Sequence, residues 1–205
     1  MESASVLLLS GGVESVTLLH QLAAQGEAVQ GLFIDYGQRA AVHERAAAGA
    51  HCEQLGVELV ALDLARVGDV FRRGHERKAH VPLPHRNLVA LALGLSYATN
   101  LGTRRLYLAA NQQDTVDYAS SSHAFLAQFR LMAGLLGDVQ LATPLVGLTK
   151  TEVIARGASL GIDYETTYSC LLGYPLHCGR CPQCVKRRAA FHEAGYAEPE
   201  VFYRS

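Results

Sequence analysis

Short apolar runs alternate with helix-like stretches at the start of the chain, and this alternation limits the possible folds more than any other feature. Residues 6–9, 29–34 and 57–62 read as buried strands, whereas residues 15–24 and 40–55 have the spacing of helices. Strands separated by helices form parallel sheets, because each helix returns the chain to the edge where the previous strand began. The sequence therefore predicts an α/β fold, a Rossmann-like parallel sheet with helices on both faces.

The rest of the chain continues this pattern less regularly. A fourth strand is predicted at residues 105–110, and helices are predicted at residues 87–101, 124–136 and 149–160. The last helix opens with a capping box, because Thr149 is followed three residues later by Glu152. Two polar segments, residues 66–85 and 115–122, are predicted loops.

Composition excludes several classes of protein. Of the 205 residues, 49% are apolar, which suffices for a sizeable core. The net charge of −1 predicts no general attraction to nucleic acid or to a membrane surface. The chain has neither a spanning apolar run nor a secretory signal, so we expect a cytoplasmic protein. One basic run, residues 186–188, reads as the solvated face of a helix.

Four of the five cysteines cluster near the end of the chain, as Cys170-x7-Cys178-x2-Cys181-x2-Cys184. This spacing suits a tetrahedral zinc ion, and four ligands leave no open position, so the expected role is structural. An iron–sulfur cluster, or His177 in place of one cysteine, stays open. Cys52 reads as core packing. We expect residues 1–165 to form the α/β domain and residues 166–205 a small zinc-binding appendage.

A glycine-rich turn, Ser10-Gly11-Gly12, joins the first strand to the first helix. Glycines permit close backbone approach, and a helix N-terminus directs N–H groups at an anion, so the turn suits a phosphate. It lacks the Gly-Lys-Ser/Thr ending of a Walker loop. Taken by itself, the motif is equally consistent with an ordinary strand-to-helix turn.

Five stretches of the chain are informative when taken together: LLLSGGVESVTLL, FIDYGQRAAVHE, VPLPHRN, TPLVGLTKTEV, and LGIDYETTYSC with the cysteine cluster. This combination resembles the 7-cyano-7-deazaguanine synthase (QueC) family of PP-loop ATPases. The resemblance implies a ligase that uses ATP and magnesium to adenylate 7-carboxy-7-deazaguanine. Ammonia then gives the amide, and a second ATP drives dehydration to the nitrile. It also implies small-molecule partners and a homodimer, and from the composition we expect no direct nucleic-acid partner and no membrane.

The resemblance also implies site residues. Three are assigned to catalysis: Lys150 at the phosphates, Arg86 near nucleotide and substrate, and Asp114 at the purine edge or magnesium. For these three, an exposed helix lysine, a surface loop charge and a loop-capping aspartate remain alternatives. The expected nucleotide-binding set is Leu9, Ser10, Gly11, Gly12, Glu14, Ser15, Phe33, Asp35, Tyr36 and Asn87. The expected metal ligands are Cys170, Cys178, Cys181 and Cys184.

Three positions depart from the family pattern. Glu14 replaces the usual aspartate of the glycine loop, and His85 replaces the usual glycine before Arg86. Residues 115–122 lack the usual Asp, Cys and Arg that follow the fourth strand. The altered substrate side leaves two further readings open. One is a diverged ligase that delivers the activated acid to another amine, such as a protein N-terminus in a bacterial defence system, with the serines of residues 120–122 leaving the site open. The other is a nucleotide-binding module without turnover.

Overall fold

A computed structural model describes residues 4–73, 82–198 and 200–204. Within these residues the strands are β1 (Ser5–Leu8), β2 (Val29–Asp35), β3 (Leu59–Asp63), β4 (Arg105–Leu108) and β5 (Gln140–Ala142). The helices are α1 (Val13–Ala24), α2 (Ala41–Leu55), α3 (Ala65–Arg72), α4 (Arg86–Leu101), α5 (Gln112–Asp117), α6 (His123–Leu136), α7 (Lys150–Ser159) and α8 (Pro182–Glu193).

The five strands form one parallel sheet in the order β3-β2-β1-β4-β5. The chain builds outward from β1 to β3 and then crosses back to place β4 on the other side of β1. This reversal opens a crevice beyond the carboxyl ends of β1 and β4, which is where open α/β sheets bind ligands.

Alternating residues of β1 supply the two faces of the core. Leu7 packs on one side with residues of α1 and α7, whereas Val6 and Leu8 pack on the other side with α4 and α6. Side chains alternate along a strand, so an apolar run of this kind requires helices on both faces. The predicted α/β fold is therefore confirmed. Cys52 is 2% exposed within the first of these clusters, which confirms its prediction as core packing.

The predicted loop at residues 66–85 is wrong at its start, because Ala65–Arg72 forms helix α3. Asp63 accepts a hydrogen bond from the backbone of Ala65 at 2.9 Å and so supports the first turn. Gly68 lies so close to the carbonyl of Tyr36 that a Cβ atom at position 68 would collide with that oxygen. The glycine that suggested a loop thus permits a close contact between helix α3 and the end of β2. Residues 74–81 of the predicted loop lie outside the described residues.

The predicted loop at residues 115–122 is also partly helical. It contains the end of α5 and a 3₁₀ turn at Ala119–Ser121. Strand β5 had no sequence prediction, because it is only three residues long. The other predicted elements are present, with ends displaced by no more than two residues. The capping box at Thr149 is present, with reciprocal hydrogen bonds to Glu152.

The C-terminal residues pack closely against the sheet domain. Helix α8 contacts α7, and its Ala190 and Phe191 belong to the same apolar cluster as α1. The prediction of a solvated basic face on α8 is wrong for Arg187, which is 0% exposed. Its guanidinium donates to the hydroxyl of Thr167 at 2.8 Å and to the carbonyl of Tyr164 at 2.7 Å. The division at residue 165 remains a prediction.

No helix in the described part of the chain is both long and apolar enough to cross a lipid bilayer.

Candidate active site

A cavity of about 240 Å³ lies at the crevice between the carboxyl ends of β1 and β4. Its apolar wall comes from strand ends and α4, and its polar wall comes from the glycine loop, α5 and the start of α7. The predicted site residues on this wall are Leu9, Ser10, Gly12, Glu14, Ser15, Phe33, Tyr36, Arg86, Asn87, Asp114 and Lys150. The fold thus collects residues from five separate segments of the chain.

The glycine loop is held in place from both sides. Gly11 has φ +74°, and a Cβ atom there would collide with the Glu44 carbonyl, so only glycine fits this position. The Gly11 carbonyl accepts a hydrogen bond from the Tyr168 backbone at 2.9 Å. Inside the loop, the Ser15 hydroxyl lies 3.1 Å from the Ser10 hydroxyl. Gly12 precedes α1 and makes no side-chain capping hydrogen bond, and Gly12, Glu14 and Ser15 at the start of this helix line the cavity.

Glu14 and Lys150 form an ion pair on the cavity wall. Lys150 Nζ lies 2.6 Å from Glu14 Oε1, and Asn111 Nδ2 donates to the same oxygen at 2.7 Å. Burial opposes ionisation of Glu14, but the Lys150 charge and these two hydrogen bonds outweigh it, so the Glu14 pKa lies below its usual value. Lys150 is only 9% exposed, which is inconsistent with an ordinary exposed helix lysine.

Asp114 both caps a helix and lines the cavity. Its carboxylate accepts from the Asn111 backbone at 3.1 Å, and the Asn111 side chain accepts from the Asp114 backbone at 2.9 Å. Burial and the nearby charge of Glu14 raise the pKa of Asp114 to about 6. Asp114 therefore does cap a helix, as the alternative prediction proposed. Its side chain nevertheless lines the cavity.

Arg86 and Asn87 form the first turn of α4 beside the cavity. The Arg86 guanidinium carbon lies 5.1 Å from the ring centroid of Tyr118, and Asn87 Nδ2 donates to the Ser121 hydroxyl at 2.5 Å. His85 precedes them in the left-handed conformation, with φ 49°. That conformation explains why a glycine suits this position in the family pattern.

Two residues of the predicted nucleotide-binding set do not line the cavity. Gly11 lies behind the loop against α2. Asp35 ends β2, and its carboxylate accepts from the Gly37 backbone at 2.9 Å, so it stabilises the turn after the strand. Tyr36 beside it does line the cavity. Burial, reinforced by the charge of Glu44, raises the Tyr36 pKa well above its usual value.

Sequence reasoning missed several residues of the wall, and Glu44 and Gln38 are the clearest. Gln38 Nε2 donates to Glu44 Oε2 at 2.9 Å. Burial raises the pKa of Glu44 to about 7. Both residues lie in the stretch FIDYGQRAAVHE, so the signal was within a motif already singled out, but only its first residues had been assigned.

The four clustered cysteines converge as predicted, with all Sγ atoms within 4.8 Å of one another. Cys178 Sγ and Cys184 Sγ are 3.8 Å apart. A tetrahedral zinc ion with bonds of about 2.3 Å requires sulfurs about 3.8 Å apart, so this group fits zinc. Backbone N–H groups of Arg180 and Cys181 point at the Cys178 sulfur at 3.4 and 3.2 Å. His177 does not take part, because its Nε2 accepts from the Ser169 backbone at 2.8 Å.

Helix α8 connects the cysteine cluster to the cavity. Gln183, between two of the cysteines, lines the cavity and donates to the Tyr118 hydroxyl at 2.9 Å. Lys186 pairs with Asp117 of α5. The segment after β4 is therefore held against the helix that carries Cys184, and sequence spacing could not have indicated these contacts.

A parallel sheet of this order, a glycine loop before α1 and a cavity at the strand reversal define a PP-loop ATPase-type fold. Similarity to solved structures agrees. The fold matches an NMN synthetase from Francisella tularensis with a TM-score of 0.55 at 15% identity, over 98% of this chain and 80% of that one. It matches an ammonia-dependent NAD synthetase from Campylobacter jejuni with a TM-score of 0.53 at 18% identity, over 81% of this chain and 68% of that one.

Within that class, the chain belongs to the QueC family. The family described as queuosine biosynthesis protein QueC matches residues 4–195. A 7-cyano-7-deazaguanine synthase from Sulfurisphaera tokodaii is 32% identical over 97% of each chain. Another, from Methanoregula boonei, is 34% identical over 95% of this chain and 97% of the relative.

Proposed function

We propose that this protein is an ATP-dependent ligase that converts 7-carboxy-7-deazaguanine into 7-cyano-7-deazaguanine. The observation that carries the proposal is the cavity in which the glycine loop, the buried Glu14–Lys150 pair and Arg86 face one another. The names of the relatives at 32–34% identity support the same substrate. AMP and pyrophosphate are the expected products of ATP.

The proposed reaction proceeds through an activated acid. A carboxylate oxygen attacks the α-phosphorus of ATP, pyrophosphate leaves, and an acyl-adenylate forms. Ammonia attacks the acyl carbon, AMP leaves, and the nitrogen loses a proton to give the amide. In a second round the amide oxygen attacks ATP, pyrophosphate leaves, and loss of AMP and two protons gives the nitrile. The protein contributes positioning and charge stabilisation to each phosphorus step.

The residues of the cavity divide between these tasks. The N-terminus of α1 and the hydroxyls of Ser10 and Ser15 are suited to the pyrophosphate. Lys150 is suited to the charge that develops on the phosphates. Glu14 and Asp114 are the carboxylates that can hold magnesium, an oxygen-seeking ion. Leu9, Phe33, Tyr36 and Asn87 complete the proposed nucleotide site.

Zinc is the proposed resident metal, held by the four cysteines in a structural role. When bound, it supplies a rigid cross-link between the segment at residue 170 and the start of α8. Because Gln183 lies between two of these cysteines and contacts Tyr118, the cross-link also fixes one side of the cavity. Elemental analysis of the purified protein should give about one zinc per chain, whereas iron with visible absorbance would contradict this assignment.

A second candidate is a diverged ligase that passes the activated acid to another amine, such as a protein N-terminus in a defence system. The altered segment after β4 favours it, because residues 115–122, which include Ser120 and Ser121, lack the Asp, Cys and Arg of the family pattern. The serines do not form the open rim expected from the sequence, since Ser120 is 8% exposed and Ser121 is 0% exposed. A large acceptor would have to enter past other residues.

One experiment separates the candidates. The protein is incubated with 7-carboxy-7-deazaguanine, ATP and magnesium, with and without ammonium, and AMP and the purine products are quantified. AMP with a nitrile product supports the synthase. AMP with the reaction stopped at adenylate or amide supports the diverged ligase. Absence of AMP in every mixture would contradict both and leave a nucleotide-binding module.

The homodimer expected from the family resemblance remains a proposal. Helix α6 exposes Leu131, Leu135 and Leu136, with Leu135 at 87%, and exposed apolar side chains of this kind mark association surfaces. Light scattering on the purified protein would distinguish a dimer from a monomer.

A further inference from the structure

Glu44 places a carboxylate on the cavity wall with hydrogen-bonding capacity left for a ligand. Its Oε2 accepts from Gln38 Nε2 at 2.9 Å. Among the residues that the structure describes, Gln38 is the only hydrogen-bond donor to this carboxylate. A carboxylate has about four acceptor positions, so most of its capacity remains available to a bound molecule.

Gln38 fixes the direction of this carboxylate. Its Nε2 also reaches the Ile34 carbonyl at 3.3 Å, and its Oε1 accepts from the Tyr36 backbone at 2.9 Å. Both ends of the amide are therefore occupied, and Gln38 has little freedom to turn. Helix α2 is fixed too, because the Glu44 carbonyl lies against Gly11 of the glycine loop. The acceptor positions of Glu44 that Gln38 leaves free are thus fixed in place relative to the glycine loop.

The surroundings of Glu44 suit the edge of a flat ring. Leu8, Leu32, Ile34 and Leu108 line the same cavity with apolar side chains, against which a planar heterocycle can pack. Beside them Glu44 offers acceptor positions, while both N–H donors of Gln38 are already used. The ligand edge that matches Glu44 must therefore consist of donors.

We infer that Glu44 is a specificity-determining residue, whose carboxylate accepts from the ring N–H and the exocyclic amino group of the deazaguanine substrate. This inference rests on the proposed function. The two adjacent donors of a guanine-type ring match a carboxylate in parallel. The adenine of ATP presents one amino group beside an acceptor nitrogen, whose lone pair would face the carboxylate. The chemistry therefore favours the ring of the acid substrate over the adenine ring of ATP.

The charge state of Glu44 is consistent with this role. Burial raises its pKa to about 7, and the charge of Asp35 adds to that effect, whereas the Gln38 hydrogen bond and the charge of Arg86 oppose it. Two N–H donors from a ligand would stabilise the ionised form further. Asp114, the residue that sequence reasoning placed at the purine edge or magnesium, already accepts from the Asn111 backbone and lies in the field of Glu14 and Lys150. It is better placed for the phosphate side.

The test compares Glu44→Gln with the wild type on two acids. One is 7-carboxy-7-deazaguanine, and the other is the same molecule without its 2-amino group. The variant turns an amide N–H₂ toward the substrate donors, so we expect its kcat/KM for the first acid to fall roughly 10- to 100-fold. The wild-type preference for the amino-bearing acid should disappear, and the KM for ATP should stay within about twofold. Glu53→Gln, an exposed change on the same helix, serves as the control.

Calorimetric binding of both acids, measured without ATP, makes the result independent of turnover. Loss of the amino-group preference in Glu44→Gln, with normal thermal unfolding and zinc content, supports the inference even if no product forms. An unchanged preference in the variant overturns it, as does a rise in the KM for ATP with none for the acid. Failure of the wild type to bind either acid would overturn the proposed substrate and the inference together.

Discussion

The ammonium of Lys150 lies 2.6 Å from a carboxylate oxygen of Glu14, although 136 residues separate the two along the chain. Their side chains are 11% and 15% exposed, so the pair is largely removed from water. It joins the glycine loop to the first turn of α7. The ion pair accounts for a carboxylate beside the glycine loop, because Glu14 orients the lysine and each charge stabilises the other.

Lys150→Ala should abolish AMP formation, with a loss of at least about 100-fold, because in the proposed reaction it removes a positive charge that stabilises the phosphates during attack at the α-phosphorus. Glu14 would remain buried without its partner, so we also expect a fall of about 1–3 kcal/mol in the free energy of unfolding. Steady-state AMP release and urea denaturation measure the two effects. Arg156→Ala, an exposed change on the same helix, should alter neither. Unchanged turnover in Lys150→Ala would remove the lysine from the mechanism.

Glu14→Asp should keep activity, since it preserves the negative charge and shortens the side chain by one methylene. Glu14→Gln should lose most of it, because the buried Lys150 would then face a neutral amide. The pair of variants separates charge from length, and AMP release with titrated magnesium is the measurement. A sharp rise in turnover for Glu14→Asp would contradict the expectation of parity and would favour the diverged ligase.

His85 adopts φ 49° immediately before α4. A left-handed conformation costs a non-glycine residue about 1–2 kcal/mol, and glycine adopts it freely. His85→Gly should therefore be more stable than His85→Ala by about 1 kcal/mol in chemical denaturation. Equal stability of the two variants would mean that this conformation carries no cost.

The buried pair His20 and His51 should make folding sensitive to mild acid. Their rings are joined by a 3.0 Å contact, and burial, with the charge of His20, lowers the pKa of His51 to about 4. An unfolded histidine titrates at about 6.5, so the unfolded state binds the extra proton between these values. The contribution of His51 to the free energy of unfolding is therefore complete above about pH 6.5. It decreases as the pH falls toward 4, by up to about 1.4 kcal/mol per pH unit.

Denaturant titrations at several pH values, compared between the wild type and His51→Gln, measure this contribution. The variant removes one titrating ring, so its stability should depend less steeply on pH between about 6.5 and 4. Parallel curves for the two proteins would show that His51 does not supply the acid sensitivity.

Cys184→Ser should release the metal and lower AMP formation at the same time. The loss of one ligand loosens α8, whose Gln183 and Lys186 hold Tyr118 and Asp117 beside the cavity. Elemental analysis and AMP release are measured on the same preparation. Cys52→Ala is the matched control, because Cys52 lies in the core away from the cluster and should leave the metal content intact. Full activity without metal would contradict the coupling.

Local pattern predicted much of the fold. The first three strands and their two helices follow from apolar spacing, and the capping box at Thr149 marks the start of α7 within one residue. The sequence wrongly predicts loops over most of α3 and over the end of α5, because glycine and polar residues favour turns in isolation, whereas contacts in the fold stabilise helices here. Gly68 against Tyr36 is such a contact.

The cysteine spacing alone indicated where four sulfurs would meet, since ligands so close in sequence need only a tight turn to converge. Two other features could not be predicted from residue spacing: the burial of a charge on α8 and the polar wall of the cavity. Arg187 looked like part of a solvated face, but the docking of α8 on the sheet domain buries it completely. Glu44 has no role assigned from the sequence, and only its contact with Gln38 and its place on the cavity wall indicate one.

By itself the sequence determined the family, the parallel α/β architecture, the glycine loop between β1 and α1, and the group of cysteines, because each depends on contacts between residues near one another in the chain or on a shared motif. Only the tertiary structure decided that Glu14 pairs with Lys150, that Glu44 presents acceptor positions to the cavity, and that α8 closes one side of it. Those contacts depend on the order of strands in the sheet, which brings distant segments to one edge, and that order is absent from any local pattern.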